Sequence, residues 1–308
     1  TVNSFDATWS QSTTVPTGQG FTNSLKCDVG AAVTPSGGAN YAARQSIEGK
    51  NLQHLKFGTS SAESLTLSFW VRSNKTGTYC VQFRGNDTGK SCVVDYSISS
   101  ADTWEKKIMT ISGDTASAWD NDVNSSLECL WHLAVGPDDQ VTPSSSWGVA
   151  SNLFRASSNQ LNFMDSTDNE WYLTGVQLEI GTQATDFEHL PFDAQLQKCQ
   201  RYYYQIPNVP TSSYRQLGVG SLASASLAIL DNEHPIPMRE APTVTEVGSL
   251  TTSDHVGNRS FAVSTNYSTS ERLTFNVTTA SGSNAPGTCV FTNGSGSGNY
   301  LTVSADLL

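Results

Sequence analysis

Alternating apolar and polar residues mark a strand near the middle of the chain, from Trp171 to Ile180. Leu173, Val176 and Leu178 are apolar, and polar residues or glycine lie between them. Successive side chains of a strand point to opposite faces, so the pattern predicts one face on a core and the other in water. Gly175 interrupts the alternation by one position, which predicts a bulge.

A short helix is predicted after this strand. Gly181 ends the strand, and Leu196, Cys199 and Tyr203 recur at the spacing of one helical face. Asp193 precedes them, and its carboxylate can accept hydrogen bonds from the unpaired amides of a first helical turn. We therefore expect an amphipathic helix with Asp193 as its N-cap residue.

The chain before this segment contains a succession of strand patterns separated by turn residues. In the clearest, Leu65 to Val71, every second residue is apolar. The other predicted strands are Tyr79–Phe83, Cys92–Ile98, Trp104–Ile111 and Leu127–Val135. Within Trp104–Ile111 we expect Trp104, Ile108 and Ile111 in the core. Strands spaced this evenly favour a two-sheet antiparallel sandwich of the jelly-roll type.

The composition changes along the 308 residues. All seven tryptophans lie before Pro191, and the later part is rich in Ser, Thr and Gly. Few helix-favouring runs occur anywhere, which favours an all-β protein. We predict a jelly-roll domain of residues 1–192, a helical linker of residues 193–205 and a smaller C-terminal β-sandwich domain of residues 206–308.

The charge excludes some classes of partner. The net charge is -11 at pH 7, whereas phosphate binding needs clustered Lys and Arg, so nucleic acid is not expected. No apolar run approaches the roughly 20 residues of a membrane-spanning helix, so no membrane insertion is expected. The six cysteines form no CxxC pair. Cys80 and Cys92 could meet across a hairpin, but free, buried thiols are favoured over disulfides.

Three segments, in this order, resemble a domain common in bacteriophage tail-fibre and other virion structural proteins. They are residues 65–83 (LTLSFWVRSNKTGTYCVQF), 102–115 (DTWEKKIMTISGDT) and 171–205 (WYLTGVQLEIGTQATDFEHLPFDAQLQKCQRYYYQ). In that family a jelly roll similar to carbohydrate-binding modules ends in a GVQLE strand and a CQRYY helix. The matching residues here are Gly175 to Glu179 and Cys199 to Tyr203.

The resemblance implies a virion location, a homotrimer about a long axis and contact with other virion proteins. It also implies attachment to host-surface polysaccharide, since several weak sugar sites on one particle act together. We therefore expect a fibre or spike component that mediates attachment. Two alternatives stay open: a head decoration or capsid fibre protein without a receptor, and a glycan-degrading enzyme or its binding module.

The sequence carries no catalytic motif of the GxSxG, HExxH or P-loop kind. A glycan hydrolase would need a pair of carboxylates. The pairs available lie in polar, turn-rich segments, where solvated Asp is the ordinary case: Asp120 with Asp122, Asp138 with Asp139, and Asp165 with Asp168. We therefore expect no enzyme activity and no catalytic residue.

Two of these acidic segments are candidates for a structural calcium ion, Asp120–Asp122 and Asp165–Asn169. Asp and Asn oxygen atoms suit this cation. Neither segment has EF-hand spacing, and both residue types are favoured in turns in any case. Ordinary turns are therefore favoured, and no metal or other cofactor is expected.

Exposed aromatic rings are the candidates for glycan binding, because their faces stack on sugar rings. Trp119 and Trp147 lie in loop-like surroundings, and Tyr267 lies between Ser and Asn residues. The alternative for each is packing against its own domain, where large aromatic side chains are usually found.

Tyr202, Tyr203 and Tyr204 follow one another at the end of the predicted helix. Three successive rings must point in different directions, so at least one is left for a second domain or another chain. Tyrosine suits such contacts because it combines an apolar ring with a polar tip. We predict that this segment lies at a domain or subunit junction.

Overall fold

The computed structural model describes residues 6–149, 155–206, 216–224, 226–248, 250–253, 258–279, 287–292 and 299–306. The chain divides into two compact units, residues 1–188 and residues 189–307. Each unit has its own hydrophobic core.

The first unit is a sandwich of two antiparallel sheets. Its strands are β1 (Ala7–Ser12), β2 (Ser24–Val29), β3 (Asn40–Glu48), β4 (Leu65–Ser73), β5 (Gly77–Gly85), β6 (Lys90–Ile98), β7 (Glu105–Ile111), β8 (Ser125–Val135), β9 (Gln140–Val141), β10 (Ser144–Val149), β11 (Ala156–Ser157) and β12 (Glu170–Ile180). Among the described residues, one sheet has the order β1-β2-β12-β4-β7 and the other β10-β6-β5-β8-β3. The short strands β9 and β11 pair in parallel. The predicted all-β jelly roll is confirmed.

The core lies between the two sheets. Phe69 of β4 and Trp131 of β8 are fully buried, with their ring centroids 5.8 Å apart and their planes nearly perpendicular. The alternation predicted for β4 holds, because Leu65, Leu67 and Val71 share the inward face with Phe69. Burying aromatic rings of this size supplies much of the hydrophobic stabilisation of a domain.

The core prediction for β7 was partly wrong. Ile111 is buried, but Ile108 is 57% exposed. Ile108 pairs with Ser68 on the outer face of the sheet, and Met109 takes the inward position. Trp104 precedes the strand and packs its ring edge-on against Tyr172. The reason is the strand period of two, which cannot place residues 104, 108 and 111 on one face together.

The predicted bulge at Gly175 is present. The register of β12 against β4 shifts between Thr174 and Gln177, and Gly175 has a φ of +59°. A Cβ at this position would lie 2.5 Å from the ring of Phe21. Glycine is thus required both by the left-handed backbone and by the close approach of the ring.

The chain after β12 folds back onto the strand that it has just left. The backbone N–H of Glu188 donates to Oε1 of Gln177 at 2.7 Å, and that of Thr185 donates to the Glu179 carboxylate at 3.1 Å. Phe187 packs against Phe21 with a centroid distance of 5.0 Å. These contacts form a clamp that fixes the exit from the sandwich.

The second unit contains a helix, a small sheet and a barrel. The helix is α1 (Phe192–Gln200), and the strands are β13 (Tyr203–Ile206), β14 (Gln216–Ser224), β15 (Leu227–Glu233), β16 (Thr243–Val247), β17 (Leu250–Ser253), β18 (Asn258–Asn266), β19 (Arg272–Thr279), β20 (Gly287–Thr292) and β21 (Tyr300–Ser304). In the described residues, β13-β21-β16 form a sheet and β14-β15-β19-β18-β17-β20 close into a barrel. A second β-domain was predicted; in place of a sandwich, β20 pairs with both β14 and β17 and closes one sheet on itself.

The helix α1 differs from its prediction in two respects. Its N-cap residue is Pro191, and Asp193 lies inside the first turn, where it suits the positive end of the helix dipole. None of its residues is buried, so the predicted apolar face is not covered by the described parts of the chain. No helix among the described residues is long and apolar enough to cross a membrane.

Candidate functional site

Trp119 and Trp147 lie side by side in the first unit and share Phe57 as a neighbour. The two indole rings meet edge to face with centroids 5.3 Å apart. The ring of Phe57 lies 4.9 Å from that of Trp119 and 5.9 Å from that of Trp147. We call these three residues the aromatic cluster. All three are partly buried, and they pack against the edge of the main core.

Hydrogen bonds hold both indoles in place. Nε1 of Trp147 donates to the carbonyl oxygen of Ser112 at 2.8 Å, and Nε1 of Trp119 donates to Oδ2 of Asp114 at 3.2 Å. The Asp114 carboxylate is almost fully buried and pairs with Lys90. Burial alone would raise the pKa of Asp114, but hydrogen bonds from the Ala116 backbone and Trp119, with the charge of Lys90, lower it below its ordinary value. The Asp114 carboxylate thus remains the hydrogen-bond acceptor that holds the Trp119 indole in place.

Gly85 makes room for the aromatic cluster at the end of β5. A Cβ there would lie 2.8 Å from the six-membered ring of Trp119. Trp147 reaches the same place from β10, which runs beside the start of β6 with Gly148 opposite Ser91. The cluster therefore lies at the end of the sandwich that holds the β5–β6 turn. Its rings are held by packing and by hydrogen bonds, and they are partly exposed.

Tyr267 lies in the second unit and does not belong to this cluster. Its ring is 61% exposed, and its backbone N–H donates to the carbonyl oxygen of Thr274 at 2.8 Å. Because its ring is exposed and its backbone is held, Tyr267 stays a separate candidate for stacking on a sugar ring.

The three consecutive tyrosines have different environments. Tyr204 is buried in its own unit, with its hydroxyl 2.7 Å from Nδ1 of His234, and burial raises its pKa. Tyr203 on β13 is 41% exposed, and its hydroxyl accepts a hydrogen bond from Gln205. Tyr202 is partly exposed. Tyr203 is thus the ring of the three with most surface left for a partner.

Carboxylates from each of the three candidate acidic pairs form a hydrogen bond or an ion pair with a neighbouring residue. Asp122 accepts a hydrogen bond from the backbone N–H of Asn124, and the Asp139 carboxylate pairs with Arg155 at 3.0 Å. Burial raises the pKa of Asp139. Nζ of Lys75 lies 2.5 Å from Oδ2 of Asp165. In the described residues, no three His, Cys, Asp or Glu side chains come together to hold a metal ion.

A polar row on the outer face of the β5–β8 sheet was not predicted from the sequence. Glu128 of β8 is almost fully buried between Arg84 of β5 and Arg44 of β3. Further along β8, His132 is buried within 3.4 Å of Gln82. The signal was present, because these polar residues interrupt otherwise apolar strands.

A shallow recess lies on the other sheet. It has a volume of about 340 Å³ and lies where β1, β2 and β12 run together. Its lining combines two leucines with hydroxyl and amide side chains: Ser10, Gln11, Asn23, Ser24, Leu25, Leu173 and Thr174. No charged side chain takes part in this lining among the described residues.

Comparisons with known proteins give structural matches alone. No protein-family description matches the chain, and no curated protein matches it by sequence. The enzymatically active domain of tailspike protein 4 of bacteriophage CBA120 matches at 14% identity and a TM-score of 0.31, over 56% of this chain and 18% of that one. The match thus spans less than a fifth of that protein.

Two further structures match at similar levels. A family 16 carbohydrate-binding module matches over 57% of this chain and 88% of its own, at 15% identity and a TM-score of 0.27. Discoidin II of Dictyostelium discoideum matches over 94% of this chain and 86% of its own, at 10% identity and a TM-score of 0.19. Identities and TM-scores are low throughout, so a function for this chain must be argued from its own residues.

Proposed function

We propose that this chain is a virion structural protein, a fibre or spike component whose jelly-roll unit attaches to a glycan on the host surface. The aromatic cluster is the observation that supports attachment to a glycan. Two tryptophans from separate segments meet there, and both indole N–H groups donate hydrogen bonds to the protein. Their ring orientation is fixed before any ligand arrives, so little conformational entropy is lost on binding.

The virion part rests on the residues of the resemblance. The segments Gly175 to Glu179 and Cys199 to Tyr203 occur in the family order. Two of the matching residues, Gln177 and Glu179, also have a structural role. Their side chains accept the hydrogen bonds that hold the chain after β12 against that strand. Assembly as a homotrimer and contact with other virion proteins belong to the same proposal, and so does the location in the virion.

Tyr203 and α1 are the surface that we propose for contact between subunits. The helix has nine residues and none is buried, and a helix of that length is marginal in water without packing. Tyr203→Ala should shift the purified chain from trimer to monomer in light scattering. Tyr204→Ala is a poor probe, since it removes a buried ring from the core of the second unit and would destabilise the unit itself. A parent chain that is already monomeric would contradict the trimer.

A glycan array with matched tryptophan variants tests the attachment role. Trp147→Phe removes the indole and its bond to Ser112 while keeping an aromatic ring in the cluster. The control is Trp104→Phe, which changes a partly exposed tryptophan packed on Tyr172 at another place in the same unit. We expect the first variant to lose about tenfold in affinity and the second to keep it, with melting temperature followed in both.

One outcome would contradict attachment, and another would contradict the aromatic cluster as its site. If the parent binds no glycan on the array or on intact host cells, the chain is a building block, as in a head decoration protein. If Trp147→Phe and Trp104→Phe bind alike, the glycan site lies outside the aromatic cluster, and Tyr267→Ala is the next variant to measure.

A further inference from the structure

The recess where β1, β2 and β12 run together includes an uncovered part of the inner face of its sheet. Gln11 of β1, Leu25 of β2 and Leu173 of β12 are paired side by side across the three strands. Leu173 belongs to the main core, so alternation places all three side chains on the face directed at the second sheet. Leu25 is nevertheless 39% exposed, and Gln11 is exposed as well. The second sheet therefore leaves this row of the inner face accessible.

An aromatic ring borders this row. Trp9 lies two residues before Gln11 on β1, on the same face and about 7 Å away along the strand. Its ring meets that of Trp171 edge to face with centroids 6.4 Å apart, and it is only partly buried. In the described part of the chain, the structure shows no hydrogen bond from Nε1 of Trp9 or from the Gln11 amide. Both groups are thus left for a ligand.

The charged side chains of these strands lie on the opposite face. Lys26 and Asp28 flank the core residue Cys27, and Glu170 precedes the core residue Trp171. Alternation directs these three charges outward, where the Lys26 ammonium group lies 2.7 Å from Asp28 and 2.8 Å from Glu170. An ionic ligand would therefore lose its hydration in the recess without gaining a counter-charge, so the recess favours an uncharged ligand.

The lining suits a sugar ring. Leu25 and Leu173 supply apolar surface, and residues with amide and hydroxyl groups lie beside them. A sugar ring presents C–H groups on its faces and hydroxyl groups around its edge, which match such a surface and such neighbours. The volume of about 340 Å³ is near the lower limit of about 300 Å³ for small-molecule sites. The recess can therefore hold one sugar unit but not a chain of several.

We propose that this recess binds one uncharged sugar unit, with the Trp9 ring beside it and the Gln11 amide bound to its hydroxyl groups. This proposal rests on the proposed attachment function and names a ligand class for it. The site is separate from the aromatic cluster. Two weak sites on one chain strengthen attachment to a surface that carries many copies of the glycan.

An NMR titration of the whole chain tests this site through the methyl groups of Leu25. The variant Leu25→Val identifies their signals by loss. The probes are D-glucose, D-galactose, D-mannose and N-acetyl-D-glucosamine, and D-glucuronate at the same concentration is the charged probe. We expect the Leu25 signals to shift and saturate with at least one neutral sugar and to stay in place with glucuronate.

A matched pair of glutamine variants tests the polar contact. Gln11→Ala should weaken the binding of that neutral sugar about fivefold, because one hydrogen bond between neutral groups is lost. Gln140→Ala is the control, since it removes an exposed glutamine from the short strand β9. Both side chains are exposed, so neither substitution should unfold the unit.

The outcomes separate the recess from attachment itself. If no neutral sugar shifts Leu25 to saturation, if glucuronate shifts it equally, or if Gln11→Ala and Gln140→Ala bind alike, the recess is not a sugar site. Array binding that depends on Trp147 would then leave the attachment function standing. A chain that binds no glycan on the array but gives a saturable, Gln11-dependent response keeps the recess and loses attachment. Leu25 shifts that follow protein concentration without sugar would assign the recess to contact between two copies and overturn the proposal.

Discussion

The ammonium group of Lys75 lies 2.5 Å from the carboxylate of Asp165. It also donates to the carbonyl oxygen of Asn162 at 2.7 Å, so a protein cation lies among the oxygen atoms where a calcium ion was considered. We expect calcium and chelator to leave the melting temperature unchanged. Lys75→Met should lower the unfolding free energy by about 1 kcal/mol, since the carboxylate is half exposed and screened. Lys56→Met, which breaks the more exposed pair with Glu63, is the control.

The same pair makes a prediction about acid stability. The hydrogen bond from Lys75 lowers the pKa of Asp165 from its ordinary value of 3.8. Stability from a carboxylate with a lowered pKa is present above the ordinary value and is lost as pH falls through the folded value. Lys75→Met should therefore unfold at a higher pH than the parent in an acid titration. If calcium raised the melting temperature of the parent, this would contradict the conclusion that the Lys75 ammonium group takes the place considered for a calcium ion.

His132 should make the first unit sensitive to mild acid. It is fully buried, and burial lowers its pKa from 6.5 to about 3. Below its ordinary pKa the unfolded state binds a proton that the native state excludes, so stability falls as pH drops from 6.5 towards 3. Between pH 6.5 and about pH 5 the loss should be about 2 kcal/mol in urea unfolding. His132→Gln should flatten this slope, whereas exposed His54→Gln should keep it.

Gly175→Ala should destabilise the first unit more than an ordinary glycine substitution. The new methyl group would meet the Phe21 ring and would also force a left-handed φ on alanine. The expected cost is about 2–3 kcal/mol. Gly18→Ala is the matched control, because Gly18 also has a positive φ but open space around it. Its cost should be about 1 kcal/mol. Equal costs in chemical denaturation would show that Phe21 moves aside freely.

The cysteines should react in two classes. The thiols of Cys27, Cys80, Cys92 and Cys129 are buried and free, and burial raises the pKa of Cys27 to about 12. A thiol that stays protonated and covered is a poor nucleophile. Cys199 is exposed on α1, so it should react with a thiol reagent in the native protein, and Cys199→Ser should remove that reaction. The Cys289 side chain lies outside the described residues. Rapid reaction of the buried thiols before unfolding would contradict the core packing.

The strands of the first unit were predictable because apolar residues recur at every second position on the face that packs against the core. Leu65 to Val71 lies inside β4, and Leu127 to Val135 lies inside β8. Prediction failed where tertiary contacts override local pattern. Ile108 is apolar yet faces outward, and the closure of the barrel depends on pairing between β14 and β20, which lie far apart in sequence.

The candidate site was predictable residue by residue but not as an arrangement. Trp119 and Trp147 stood out as tryptophans in loop-like segments. Nothing local to either one indicates that they touch, since β10 must first pair with β6 to bring them together. Arg44 and Arg84 were missed because each is an ordinary surface residue until Glu128 joins them.

The pairing of β13 with β21 has a consequence for how the second unit can be rearranged. Tyr203 lies opposite Ser304, and Ile206 lies opposite Leu301, so the first and last strands of that unit run side by side. A domain whose first and last strands are adjacent can be inserted into a surface loop of another protein with little strain. The barrel and its small sheet are therefore suited to insertion as one domain. Joining residue 304 to residue 203 by a short linker should also give a circular permutant that still folds.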